Sequence, residues 1–245
     1  MIHQLGRSCR SATAAAWRFV RSAPLTFAWL VVLLVTTVIA HSLDSDDLDR
    51  VLGERSTNLH HLASDPLHVL LTSLFWIDGS FWLSYLLMFL VFHVPAERWL
   101  GSARWLLVGL SAHVVATYVS EGLLGLAIRD GAVGTSMVNV TDVGVSYFLA
   151  AIVGVLTYRI AYPWRWLYLA GILVVYGVPI VGNLTFTGIG HLTSLLIGLA
   201  WYPITRRRPA PPWNPMDTVR RLGRRREVAE AGGQEPGASV RQRNS

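Results

Sequence analysis

TDVGVSYFLAA, residues 141–151, opens a long apolar run with a glycine two residues ahead of a serine. A hydroxyl at the mouth of such a run needs a partner or a purpose, because an alcohol buried alone costs about 2–7 kcal/mol. Composition fixes the surroundings. Of 245 residues, 52% are hydrophobic and 15% charged, and the mean hydropathy of +0.42 is too apolar for a soluble domain of this length. Six segments reach or approach the roughly 20 residues that cross a bilayer core: 25–42, 81–95, 105–123, 143–157, 166–180 and 189–202. Several are short, which points to burial inside a bundle. The expected fold is an all-α, polytopic membrane protein with six transmembrane helices. Its divisions are a cytoplasmic amino-terminal segment (1–24), the membrane domain (25–205) and a basic tail (206–245).

Charge placement orients the spans, because basic residues accumulate in cytoplasmic loops. The chain has no lysine. Arg7, Arg10, Arg18 and Arg21 precede the first span, Arg98 and Arg104 follow the second, and Arg159 and Arg165 follow the fourth. Ten more arginines lie beyond the sixth. On the other side, Arg50, Arg55 and Arg129 are outnumbered by Asp44, Asp46, Asp47, Asp49, Asp65, Asp78, Asp130 and Asp142. Both termini are therefore expected in the cytoplasm, in a multi-pass protein of the bacterial cell membrane. The net charge of +6 belongs to this asymmetry before it belongs to nucleic acid. The first span has a competing reading as a cleaved signal peptide, since Val38-Ile39-Ala40 carries the small residues of a cleavage site. The long basic region before it favours a retained helix. Cys9 is the single cysteine, which excludes an intrachain disulfide.

Between the first two spans lie about 38 residues, acidic at their start. Within them PLHVLLTSLFWI has the apolar spacing of a piece lying in the interface plane. His60, His61 and His68 have no carboxylate or thiol at ligand spacing, so neither a metal nor another cofactor is expected. The tail turns to Pro, Arg, Gly and Ser, a composition with no core to join, and is expected to be disordered and dispensable for the bundle. Its arginines suit anionic lipid headgroups. Neither an aromatic platform nor a folded basic module for nucleic acid is visible.

With the fourth span running inward, Ser146 sits in the first turns of a helix, where unpaired amides and the positive end of the dipole favour developing negative charge. The sixth span also begins outside, and His191 is its third residue. Small residues four apart bring membrane helices into backbone contact. The fourth span carries Ser146, Ala150 and Gly154; the sixth carries Gly190, Ser194 and Gly198. If these stripes meet, Ser146 and His191 come within reach as nucleophile and base. The bland alternative is that both glue two helices together.

These features resemble the rhomboid family of intramembrane serine proteases, whose fourth helix begins with Gly-x-Ser-Gly and whose sixth carries a His among spaced small residues. Gly144-Val145-Ser146 and Gly190-His191 match those positions, and PAERWLG, with Glu97-Arg98 and Gly101, matches a Glu-Arg landmark after the second helix. The resemblance spans about residues 25–202. It implies a Ser146–His191 dyad acting on transmembrane segments of other membrane proteins. Tyr147 stands where the family has Gly, and Ser194 where it has another. In the second helix FWLSYLLMFLVF offers Ser84 and Tyr85 where the family has a His and an Asn for the oxyanion, and the Trp-Arg pair of the first external loop is absent. Loss of one oxyanion donor typically costs about 10²–10³ in rate. A slow protease and a silent relative that binds transmembrane segments both fit.

Gly144, Tyr147 and His113 are the supporting candidates around the oxyanion. His113 either replaces a lost donor or bonds a neighbouring helix, and Glu121 is expected at the external interface. Rival chemistries lack their residues. There is no His-Glu-x-x-His, no aspartate inside a span, and no paired halves of a transporter.

Overall fold

The computed structural model describes residues 2–77, 82–182, 184–206 and 211–232, and among these every regular element is helical. Helix α1 (Ile2–Arg21) leads into α2 (Pro24–Ser42), the first apolar helix. The long connection that follows folds as three short helices, α3 (Ser45–Glu54), α4 (Leu59–Ser64) and α5 (Pro66–Thr72). Asp44, Asn58 and Asp65 cap them by accepting from the amides of Asp47, His61 and His68. The second span is composite: α6 (Trp82–Met88), a π-turn over Phe89–His93, and α7 (Val94–Leu100). Pro95 explains the wide turn, since a ring nitrogen has no amide to continue the ladder. Then come α8 (Ser102–Arg129), α9 (Val145–Leu156), α10 (Trp164–Gly182), α11 (Phe186–Ala200), the short α12 (Tyr202–Thr205) and α13 (Pro215–Gly232).

By length and composition α2, α8 and α10 can each cross a membrane, while α9 and α11 are shorter apolar helices. The molecule is an all-α membrane bundle. At its centre α8, α9 and α11 pack on one another, and α2, α10 and the composite helix surround them. α2 and α10 turn Val31, Val35, Val38, Val174, Val178 and Val181 outward, which is where lipid tails would lie.

Two devices lock the frame. Trp29 of α2 stands in a cage with Phe89, His93, Trp105 and Phe148, ring centroids 4.8–5.9 Å away, and its indole N–H donates to the Leu74 carbonyl at 2.8 Å. Phe148 enters this cage because Gly109 yields; a Cβ there would lie 2.0 Å from the Phe148 ring. The second device is Glu97. The start of α2 has no side-chain cap of its own, and Glu97 reaches across from α7 to accept from the amides of Leu25 (3.1 Å) and Thr26 (2.8 Å). It accepts from the Ser102 hydroxyl at 2.6 Å as well. A carboxylate at a helix amino end meets orphan donors and the positive dipole end together. Gly101 then turns the chain from α7 into α8 at φ 83°, a conformation that favours glycine. This is the structural content of Glu97 and Gly101 in PAERWLG.

The expectation of a disordered tail needs correction over residues 211–232. Trp213 pairs with the loop after α9: its amide donates to Arg159 O at 2.7 Å, and the Ala161 amide donates to Trp213 O at 2.9 Å. Arg159 adds a bond to Pro211 O. Asn214 then caps α13, its side chain accepting from the Met216 amide at 3.0 Å, with Pro215 at the first helical position. Composition concealed this because backbone pairing needs no apolar core. Residues 207–210 and 233–245 of the expected tail lie outside the described residues.

Candidate functional site

The site is built where the loop before α9 is fastened down. The Asp142 amide donates to Ser56 Oγ at 2.7 Å, the Thr57 amide and hydroxyl donate to Asp142 O at 3.0 and 3.2 Å, and the Gly144 amide donates to Ser73 O at 3.1 Å. These bonds fix how α9 begins. Its first turn has no side-chain cap, so its amides point outward without a competing side chain.

Ser146 lies in that turn, partly buried, with Oγ 3.5 Å from Val143 O. At that length the bond is weak, and the hydroxyl has little holding it. Tyr147, the next residue, is fully buried. Its ring runs between α8, α9 and α11, and its hydroxyl donates to Asp142 Oδ2 at 2.9 Å with Ser120 Oγ at 3.4 Å. Its carbonyl accepts from the Ser194 hydroxyl of α11. The seat for the ring is Gly190, where a Cβ would lie 2.5 Å from both the ring tip and the hydroxyl of Tyr147.

His191, partly buried beside Gly190, meets the Tyr147 ring edge-on at 5.1 Å and the Tyr176 ring at 6.2 Å. Among the described residues no hydrogen bond joins Ser146 to His191. The two lie toward the amino-terminal ends of neighbouring helices, with Tyr147, the residue after Ser146, in ring contact with His191. Farther along, the backbones touch. A Cβ on Gly154 would lie 2.5 Å from Leu195 O, and one on Gly198 would lie 2.1 Å from Ala151 O. Ala150 and Ser194 are fully buried on the same helices. Small residues at these places are what the approach requires.

His113 of α8 is buried, and its Nε2 bonds Leu70 O of α5 at 3.0 Å. A carbonyl accepts, so Nε2 carries the proton and Nδ1 is left without a partner. The ring lies over Gly144, where a Cβ would come within 2.1 Å of it. His113 thus ties α8 to α5 and supports the turn into α9. Glu121, expected at the interface, is instead 1% exposed, because α8 continues past it to Arg129 and α4 lies across that end.

Sequence reasoning passed over two residues. Asp142 belongs to the quoted motif and reads there as a loop carboxylate; only the fold shows that it receives Tyr147 and is 4% exposed. Burial pushes its carboxyl up to about 6, against the lowering effect of the Tyr147 bond. His93 sits in the π-turn, fully enclosed by the aromatic cage with both ring nitrogens unpartnered among the described residues. No cluster of three or more metal-binding side chains occurs among the described residues.

Comparison with known proteins supplies one match: a family model described as rhomboid-like protein aligns with residues 18–211. No curated protein and no solved structure matches the chain.

Proposed function

Because the chain belongs to the rhomboid-like family, we propose that it is an intramembrane serine endopeptidase, with Ser146 as nucleophile, His191 as base, and both termini in the cytoplasm of a bacterial cell. The observation that carries this reading is the pairing of α9 with α11 at backbone contact, with the two half-accessible side chains at one end of it. Ser146 Oγ attacks the scissile carbonyl and passes its proton to His191, which returns it to the departing amine; water then releases the acyl group. The uncapped first-turn amides of α9 receive the oxyanion. The Ser146–His191 bond forms on substrate binding, as catalytic hydrogen bonds often tighten only then. Substrates are transmembrane segments with small, helix-weakening residues near the outer end, because a regular helix hides its carbonyls.

A second reading rests on Tyr147. A fully buried ring fixed to Asp142 stands edge-on against His191, and among the described residues the Ser146 hydroxyl bonds Val143 O rather than His191. That arrangement suits a silent relative that binds transmembrane segments. The readings separate in proteoliposomes. A reporter with a Gly/Ala-rich transmembrane segment is cut slowly by wild type and not by Ser146→Ala under the first reading; under the second, both retain it uncut.

A further inference from the structure

Helix α1 is 20 residues long, about 30 Å at 1.5 Å per residue, and the bundle grips it at its last turn. Phe19 packs edge-on against Phe27 of α2, ring centroids 5.5 Å apart, and the Arg98 guanidinium of α7 lies 6.0 Å over the Phe19 ring. From Ala12 to Phe19 every residue is exposed. Only Ser22 and Ala23 separate α1 from Pro24, where α2 begins. The Ser22 hydroxyl donates to Phe19 O at 2.6 Å, and Ala23 is fully buried, so the corner is fixed. Because α2 is long and apolar enough to cross a membrane, a helix joined to it by two residues starts at the membrane surface.

The side chains from Ala12 onward sort by face. At 3.6 residues per turn, Ala12, Ala16, Phe19 and Val20 lie along one side, and Arg18 and Arg21 along the other with Ala14 between them. Trp17 stands at the border, 61% exposed, with the Arg21 guanidinium 5.8 Å over its ring. An indole at the seam between an apolar and a charged face suits the boundary of water and lipid.

No carboxylate answers the arginines of this corner. The first acidic residue in the chain is Asp44, beyond the far end of α2. Glu97 is committed to the amides of Leu25 and Thr26 and to the Ser102 hydroxyl. The ion pairs among the described residues involve Arg50, Arg55 and Arg129, which leaves Arg18, Arg21 and Arg98 without an acidic partner there. A protein groove would take large anchors three and four residues apart, and Ala12 and Ala16 are too small for that. A bilayer asks less of them, since the tether to α2 already holds α1 at the surface.

We propose that α1 lies in the membrane surface as an anchor for anionic phospholipid, with the Ala12–Ala16–Phe19 face toward the acyl chains and Arg18, Arg21 and Arg98 on headgroup phosphates. A guanidinium suits a phosphate because it offers two parallel N–H donors. The anchor is independent of whether Ser146 turns over and of which side of the membrane this end faces.

Full-length protein in lipid nanodiscs tests this. In a Cys9→Ser background, Ala16→Cys and Ala14→Cys each carry a nitrobenzoxadiazole label, and phospholipid spin-labelled near the acyl carbonyl is the quencher. In equal parts phosphatidylglycerol and phosphatidylcholine, the label at position 16 should be quenched about twofold more than the label at position 14, since only the apolar face enters the acyl region. Arg18→Gln and Arg21→Gln should each lower the inserted-to-free ratio about fivefold, as for the loss of one basic residue at an anionic surface. Phosphatidylcholine alone should lower it as well. Equal quenching at the two positions overturns the surface-lying helix. Unequal quenching that survives both Arg18→Gln with Arg21→Gln and pure phosphatidylcholine overturns the anionic partner. Two labels equally shielded from quencher in discs that hold protein dimers make a second copy the occupant, and that also overturns the proposal. Where the arginine variants fail to fold, the change of lipid around the label at position 16 decides.

Discussion

Tyr147 follows Ser146 directly and stands edge-on against the His191 ring. It is anchored at both ends, by its hydroxyl on Asp142 and by its carbonyl under Ser194. Tyr147→Phe removes the donor to a buried acceptor and should cost about 1–3 kcal/mol of stability, read as a lower unfolding temperature in detergent. Gly190→Ala sets a methyl against the ring and should cost about 1–3 kcal/mol by overpacking. The pair of changes should be less than additive, since both act through one ring. That Ser146 and His191 fall toward one end of two neighbouring helices could be read from their places in two apolar runs. The burial of Asp142 could not, because nothing local to TDVGVSY says that a carboxylate will be sealed under residues 56–57, about 85 positions earlier in the chain. Glu121 was misjudged for the same reason: α4, which covers it, is distant in sequence.

Among the elements, the short fourth and sixth helices could be read as buried because they are too brief to cross a bilayer alone, and their small-residue stripes stood out at fourfold spacing. How closely they approach is a three-dimensional fact. Gly198→Val should separate α9 from α11, costing about 1–3 kcal/mol or more, while Gly171→Val on α10, where nothing lies within 4 Å, should be tolerated. The second span was harder to read. Pro95 and the π-turn divide it, and the buried face of Phe89 and His93 is set by Trp29 from another helix. Glu97 likewise caps a helix more than 70 positions away. Glu97→Ala should cost about 1.5–3 kcal/mol, as expected for hydrogen bonds to a charged group. Composition did not disclose the backbone pairing of Trp213 or the helix that follows it. Ending the chain after Arg206 should lower the unfolding temperature, since it frees the amide of Ala161 and the carbonyl of Arg159.

For the molecule as a whole, hydropathy was enough to give an all-α membrane bundle, and the order of the serine, histidine and Glu-Arg motifs was enough to give the family. Under the proposed protease reading, turnover requires Ser146 and His191 to close past Tyr147 when a substrate enters. A fluorophosphonate asks this directly, since it bonds only a serine whose proton is being taken. Purified wild type, Ser146→Ala and His191→Ala are treated in detergent and the bound label is counted. Wild type should label slowly, Ser146→Ala not at all, and His191→Ala at least tenfold more slowly than wild type, as removal of a general base typically costs about 10²–10⁴ in rate. An unlabelled wild type, or label that persists in Ser146→Ala, contradicts the protease.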